Sequence, residues 1–95
     1  MAKSELYMTV LSPQGTVYEG RILSVVFPGA AGSFAVLPSH APIIAALKSG
    51  AVTYCTEPGR QQAVSVRSGF VEVNNNRLTV CVEENNVAEQ HEKKS

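Results

Sequence analysis

Apolar side chains in this 95-residue chain fall at every second position, in one short segment after another. Leu6, Met8 and Val10 share one face, as do Val52 with Tyr54, Val71 with Val73, and Leu78 with Val80 and Val82. A period of two belongs to the β-strand, whose successive side chains point to opposite sides, so these sets predict the inward faces of half-buried strands. Leu23, Val25 and Phe27 continue the pattern around Ser24, and Gln62, Val64 and Val66 lead into Arg67-Ser68-Gly69. Thr16 to Glu19 predicts a second short strand, with Gly20 as a break or bulge. Turn chemistry separates these runs at Ser12-Pro13-Gln14-Gly15, Glu57-Pro58-Gly59-Arg60 and Asn74-Asn75-Asn76, the last a hairpin because Asn tolerates left-handed backbone. No long window carries the i, i+3, i+4 spacing of a helix. Strands recurring every eight to twelve residues or so predict an all-β sandwich or barrel.

A second feature is the run Pro28-Gly-Ala-Ala-Gly-Ser-Phe-Ala-Val-Leu-Pro-Ser-His-Ala-Pro42. Gly29 and Gly32 permit φ > 0, while Pro28, Pro38 and Pro42 each fix φ near about −65°. Phe27, Leu37 and Ala41, preceding prolines, are pushed towards extended or turn backbone. Phe34, Val36 and Leu37 place a short strand inside the run. The segment predicts a rigid loop–strand–loop, since a solvated linker needs no such punctuation.

Length and charge narrow the function classes. Ninety-five residues make one domain with a modest core. Eight basic and eight acidic residues balance to zero, which argues against a nucleic-acid partner, whose phosphates call for a basic surface. No apolar run approaches the ~20 residues of a membrane helix. Met1-Ala2-Lys3-Ser4-Glu5 opens no hydrophobic or Arg-rich amphipathic segment, so neither signal nor transit peptide is expected. After Val82 only Val87 and Ala88 are apolar, and residues 83–95 are expected to be a polar, disordered tail with at most one helical turn over Ala88 to Lys93.

Little in the chain suits catalysis. It has no Asp, and its two histidines are His40 and His91. His91 falls in the polar tail; His40 sits in the rigid run, where it is expected to bond the loop backbone. No Gly-x-Ser-x-Gly elbow accompanies either, so no catalytic residue is assigned. Gly29-Ala-Ala-Gly32 lacks the Gly-Lys-Ser/Thr of a phosphate loop and no helix follows it, so no nucleotide site or cofactor is assigned. Cys55 and Cys81 lack Cys-x-x-Cys spacing and predict two half-buried free thiols, with no metal site. Two other classes stay open: a free-standing sandwich that binds a peptide or sugar, and a small enzyme using one of the thiols. The absence of Trp, with three Tyr and three Phe, weakens the first.

Five segments resemble the epsilon subunit of F-type ATP synthases. Ser24-Val25-Val26-Phe27-Pro28-Gly29 is similar to that family's strand entering its loop, and Leu37-Pro38-Ser39-His40-Ala41-Pro42 to its Pro-Gly-His-Ala-Pro signature. Leu47-Lys48-Ser49-Gly50 resembles its Leu-Lys-Pro-Gly turn, Ser68-Gly69-Phe70-Val71-Glu72-Val73 its Ser-Gly-Gly-Phe-Val-Glu-Val strand start, and Leu78-Thr79-Val80 its closing strand. The matches run in order over about Leu6 to Val82. The resemblance implies a flattened antiparallel β-sandwich of two sheets with about ten short strands, over residues 1–82.

The resemblance also implies a role without bond chemistry. Such a subunit sits in the central stalk, links the gamma subunit to the membrane c-ring, and couples ion flow to ATP synthesis. Position by position, the residues expected to face gamma are Ser12, His40, Ala45 and Arg67. Those expected to face the c-ring are Ala30, Ala31, Gly32 and Ser33. The implied location is the cytoplasmic face of the bacterial plasma membrane, as a peripheral subunit. Three departures stand out. Ala31 and Ser33 are neutral where many members are acidic, and Arg67 is charged where the family has a small residue. The family's two-helix C-terminal domain, which can inhibit ATP hydrolysis and in some bacteria binds ATP, has no counterpart in residues 83–95, so neither property is expected.

Overall fold

The computed structural model describes residues 5–84, all strand, turn and loop. Eight strands follow one another: β1 (Leu6–Ser12), β2 (Gly15–Ile22), β3 (Ser24–Phe27), β4 (Phe34–Val36), β5 (Ile43–Leu47), β6 (Gly50–Glu57), β7 (Arg60–Asn74) and β8 (Arg77–Glu84). Their pairing order is β2-β1-β8-β7-β6-β3-β4, with β5 also against β7. All pairs are antiparallel except β1 with β8, which run parallel from Tyr7–Arg77 to Leu11–Cys81.

The order is explained by β7. At 15 residues it is nearly twice the length of any other strand. Its first half pairs with β6 from Gln61 to Val66, and its second half with β5 from Gly69 to Val73. Between them the register against β8 shifts at Val66/Ser68, leaving Arg67 as an extra residue. One inserted residue exchanges the two faces of a strand. Val66 is buried on one side of the shift, and Val71 and Val73 on the other, so inward positions change from even to odd numbers. A single strand thereby serves both layers of the sandwich, and they remain one hydrogen-bonded sheet. Because β7 serves both layers as one strand, the described residues hold eight strands where about ten were expected. Gly69 occupies the crossing: a Cβ there would run into the Cys81 carbonyl oxygen and the Val82 backbone.

The chain crosses between layers a second time at Leu23, whose N–H donates to the Cys55 carbonyl at 2.7 Å. Alternation predicts an inward Leu23; at the crossing it is turned out and 40% exposed. Gly20 likewise differs from expectation. It pairs with Met8 inside a continuous β2, and the irregularity falls at Val17, between the Val10–Tyr18 and Leu11–Thr16 pairs. The shift lets both Val17 and Tyr18 pack on the core. Tyr18 meets Tyr54 from the opposite layer with ring centroids 4.7 Å apart. Burial pushes the Tyr54 phenol above its ordinary pKa, because ionisation would strand a charge in apolar surroundings.

The core is the predicted one. Leu6, Met8, Val10, Val25, Phe27, Val52, Tyr54, Val71, Val73, Leu78, Val80 and Val82 are all buried, joined by Ile22, Val36, Leu47 and Val66. Each fully buried aliphatic side chain contributes about 1.5–3 kcal/mol, so this layer supplies most of the stabilisation. Asn75 and Asn76 take φ of 52° and 63°, the left-handed pair that a two-residue hairpin between Asn74 and Arg77 requires. The expected tail lies outside the described residues, apart from Glu83 and Glu84, which continue β8.

Candidate docking surface

On the outer face formed by β5, β7, β8 and β1, cross-strand pairing sets residues in rows. One row runs Ala46–Phe70–Cys81–Leu11; the next runs Ile44–Glu72–Thr79–Thr9. Ile44 is 78% exposed, Phe70 52% and Leu11 36%, so the first row is apolar, and Ile44 stands beside it in a row otherwise polar. At the Leu11 end, Ser12, Pro13, Ser68 and Gly69 join Phe70 around a depression of about 370 Å³. Across the other end of the same sheet the surface turns polar. Tyr7 donates to Glu19 Oε2 at 3.0 Å, Arg77 stacks over the Tyr7 ring at 5.1 Å, and Arg21 pairs with Glu5 at 3.5 Å. The Glu19 bond and carboxylate hold the Tyr7 phenol above its ordinary range.

The residues expected to face gamma distribute around this area. Ser12 is half-buried at the end of β1, where Gln14 N–H donates to its Oγ at 3.2 Å and ties the turn. Arg67 is exposed on the bulge of β7, one residue from the same depression. His40 lies at the opposite end of β5, beside the β7–β8 turn, in a depression of about 510 Å³ with Ser39, Pro42, Asn75 and Asn76. Its Nδ1 lies 2.7 Å from the Ala41 carbonyl oxygen, which can only accept, so Nδ1 carries the proton. Ala45 is on the inward side of β5 and packs on the core, leaving Ile44 and Ala46 as that strand's outward residues.

Ala30, Ala31, Gly32 and Ser33 are all exposed in the loop between β3 and β4. Backbone bonds fix the loop to the end of β5: Ala30 N–H to the Ala46 carbonyl at 2.9 Å, and Lys48 N–H to the Pro28 carbonyl at 2.8 Å. A row of paired residues then leads from Gly29 through Leu47 and Gly69 to Val82. The loop therefore stands at the same end of the sandwich as Gly69 and the bulge at Arg67. Gly32 takes the expected positive φ, 132°. Gly29 has another reason to be glycine: a Cβ would lie 2.5 Å from the Gly32 carbonyl oxygen and 2.9 Å from the Phe34 ring.

Sequence reasoning passed over Ile44, Phe70 and Leu11. A signal was present in the doublets Ile43-Ile44, Phe70-Val71 and Val10-Leu11. Adjacent apolar residues on a strand point to opposite faces, so one of each pair must leave the core. Cys55 and Cys81 are free and half-buried, on the outer sides of opposite layers, so no disulfide joins them. Cys55 Sγ donates to the Glu57 carbonyl at 3.0 Å. Among the described residues no three His, Cys, Asp or Glu side chains gather where they could hold a metal ion.

Fold and surface together define a β-sandwich domain with exposed apolar side chains on one outer face. The chain belongs to the ATP synthase Delta/Epsilon chain beta-sandwich domain family, whose pattern matches residues 5–88. It is 35% identical over 78 residues to the ATP synthase epsilon chain of Nitratiruptor sp., covering 82% of this chain and 60% of that one. With the epsilon chain of Chlorobaculum tepidum it shares 38% identity over 86 residues, 88% of this chain and 98% of the relative. The chain thus spans about two thirds or less of several relatives, including 65% of the Leptospira interrogans protein. Among solved structures, a chain of the Euglena gracilis mitochondrial ATP synthase superposes with a TM-score of 0.80 at 17% identity, over 85% of this chain and 52% of that chain. That likeness is one of fold.

Proposed function

We propose that this chain is the epsilon-type rotor subunit of an F-type ATP synthase, a non-catalytic part that joins the gamma subunit to the c-ring. The reading is carried by the exposed apolar side chains of Ile44, Phe70 and Leu11 on one outer face, flanked by His40 at one end and by Ser12 and Arg67 at the other. Exposed apolar area rimmed by polar groups is the usual mark of a protein interface. Support comes from relatives named as ATP synthase epsilon chains and from a fold shared with a chain of the Tetrahymena thermophila central stalk and c-ring assembly. In this reading gamma covers the β5-β7-β8-β1 face, meeting Ser12, His40 and Arg67, with Ala45 acting through the strand it anchors. The c-ring meets Ala30, Ala31, Gly32 and Ser33. The subunit lies at the cytoplasmic face of a bacterial plasma membrane, as a peripheral part of the complex, and the sandwich, which β8 carries on to Glu84, forms the docking domain.

A rigid joint suits this work. Torque from ion flow reaches the catalytic head only if the contact does not slip, and the short-looped, doubly crossed sandwich resists shear. The test is Phe70→Glu, alone and with Ile44→Glu, measured as ATP-driven ion pumping relative to ATP hydrolysis in membranes. A carboxylate buried against gamma should cost about 2 kcal/mol or more, weakening association about thirtyfold. Uncoupled hydrolysis is the expected result. Unchanged coupling by correctly folded variants would remove this face from the interface. His40→Glu and Ser33→Arg probe its two edges in the same assay.

A further inference from the structure

The turn that presents His40 is built on an unfavourable residue. His40 N–H donates to the Leu37 carbonyl at 3.1 Å, closing a four-residue turn with Pro38 and Ser39 in its centre. Ser39 has φ 72°, so the turn is type II, whose third position ordinarily falls to glycine. A side chain with a Cβ is disfavoured there, and serine sits more easily in the type I turn, with φ near about −90°. The two types differ by rotation of the central peptide, between Pro38 and Ser39. That peptide's N–H is the group held from outside: Ser39 N–H donates to Asn76 Oδ1 at 2.6 Å, across 37 positions of sequence.

Asn76 is well placed to hold it. Its own φ of 63° belongs to the β7–β8 hairpin, and its carbonyl accepts from Tyr7 N–H at 2.9 Å. The acceptor therefore rises from a point fixed by β1, β7 and β8. We infer that Asn76 is a positioning residue, which locks the Pro38–Ser39 peptide in its type II orientation and so sets the direction in which His40 meets its partner. The lock follows from the turn geometry; its consequence for docking rests on the rotor-subunit reading.

The experiment uses the full chain. Asn76→Gly removes the acceptor and leaves a residue at ease with left-handed backbone. The amide of Ser39 should then exchange at least tenfold faster, and its H–N–Cα–H coupling should move towards the value for negative φ, while Val71 and Val73 amides stay protected. Association with purified gamma subunit should weaken about tenfold. Asn76→Asp, which keeps the acceptor, should behave as the parent. Ser39→Gly makes the type II turn intrinsically favourable, so Asn76→Gly in that background should change gamma affinity by less than threefold. Equal losses in both backgrounds, or no change at Ser39, would overturn the assignment. If the parent chain does not bind gamma, the rotor reading falls, and exchange and coupling at Ser39 still decide whether the lock exists.

Discussion

Two loops flank the three-residue strand β4, and they reach rigidity by opposite means. The loop of Gly29 to Ser33 is tied to β5 through its backbone and packed so closely that Gly29 has no room for a side chain. Its backbone folds against itself, with Gly32 N–H bonded to the Gly29 carbonyl at 2.9 Å, in a space where a single added carbon would collide. The loop of Leu37 to Pro42 is held by what another element supplies, the Asn76 side chain. The first is held by backbone bonds to β5 together with close packing, and has no slack. The second is rigid by a long-range bond and can be undone without crowding anything. The first loop carries glycine and the second proline, and the difference teaches that such punctuation does not by itself say how a loop is fixed.

Three substitutions would break or sharpen that contrast. Gly29→Ala should have the largest effect, about 3 kcal/mol of lost stability, because the new Cβ meets a backbone oxygen as well as the Phe34 ring. The denaturation midpoint measures it; a loss under about 1 kcal/mol would mean the loop has room to adjust. Phe34→Ala should follow at about 2 kcal/mol, since the half-buried ring packs 5.4 Å from Phe27 and closes the first loop. Ser39→Gly should be smallest, within about 0.5 kcal/mol. Relief of left-handed strain is offset by the greater freedom of glycine in the unfolded chain. A large loss there would mean that the serine side chain itself carries the second loop.

The core and the strands were legible in the sequence because period two survives wherever one face is buried. Leu78, Val80 and Val82, or Leu6, Met8 and Val10, needed no tertiary information to be placed. The change of phase between Val66 and Val71 was also written there, as an odd spacing around Arg67. What it meant was not: a local pattern cannot say whether a shift ends a strand or carries it into a second layer. Leu23 was misread for the same reason, since its exposure follows from a crossing that only the paired layers define. At the candidate surface, Ala30 to Ser33 follow from the family resemblance, whereas Ile44 and Phe70 show in the sequence only as members of apolar doublets. The Asn76 clamp was beyond reach, because 37 residues separate donor from acceptor and nothing in either segment points to the other.

The parallel pairing of β1 with β8 has a consequence in time. β1 finds its second neighbour only in β8, the last of the described strands, so the central part of the sheet stays open while the ribosome is still making residues 77–84. Until then β1 has a free edge and an exposed row of Leu6, Met8 and Val10, the kind of surface that recruits chaperones or other chains. Its hairpin with β2 can form early, but a lone hairpin is marginal in water. Assembly of this domain is therefore timed by its final strand, and a chain stalled before Leu78 leaves the ribosome as an aggregation hazard rather than a partly working subunit.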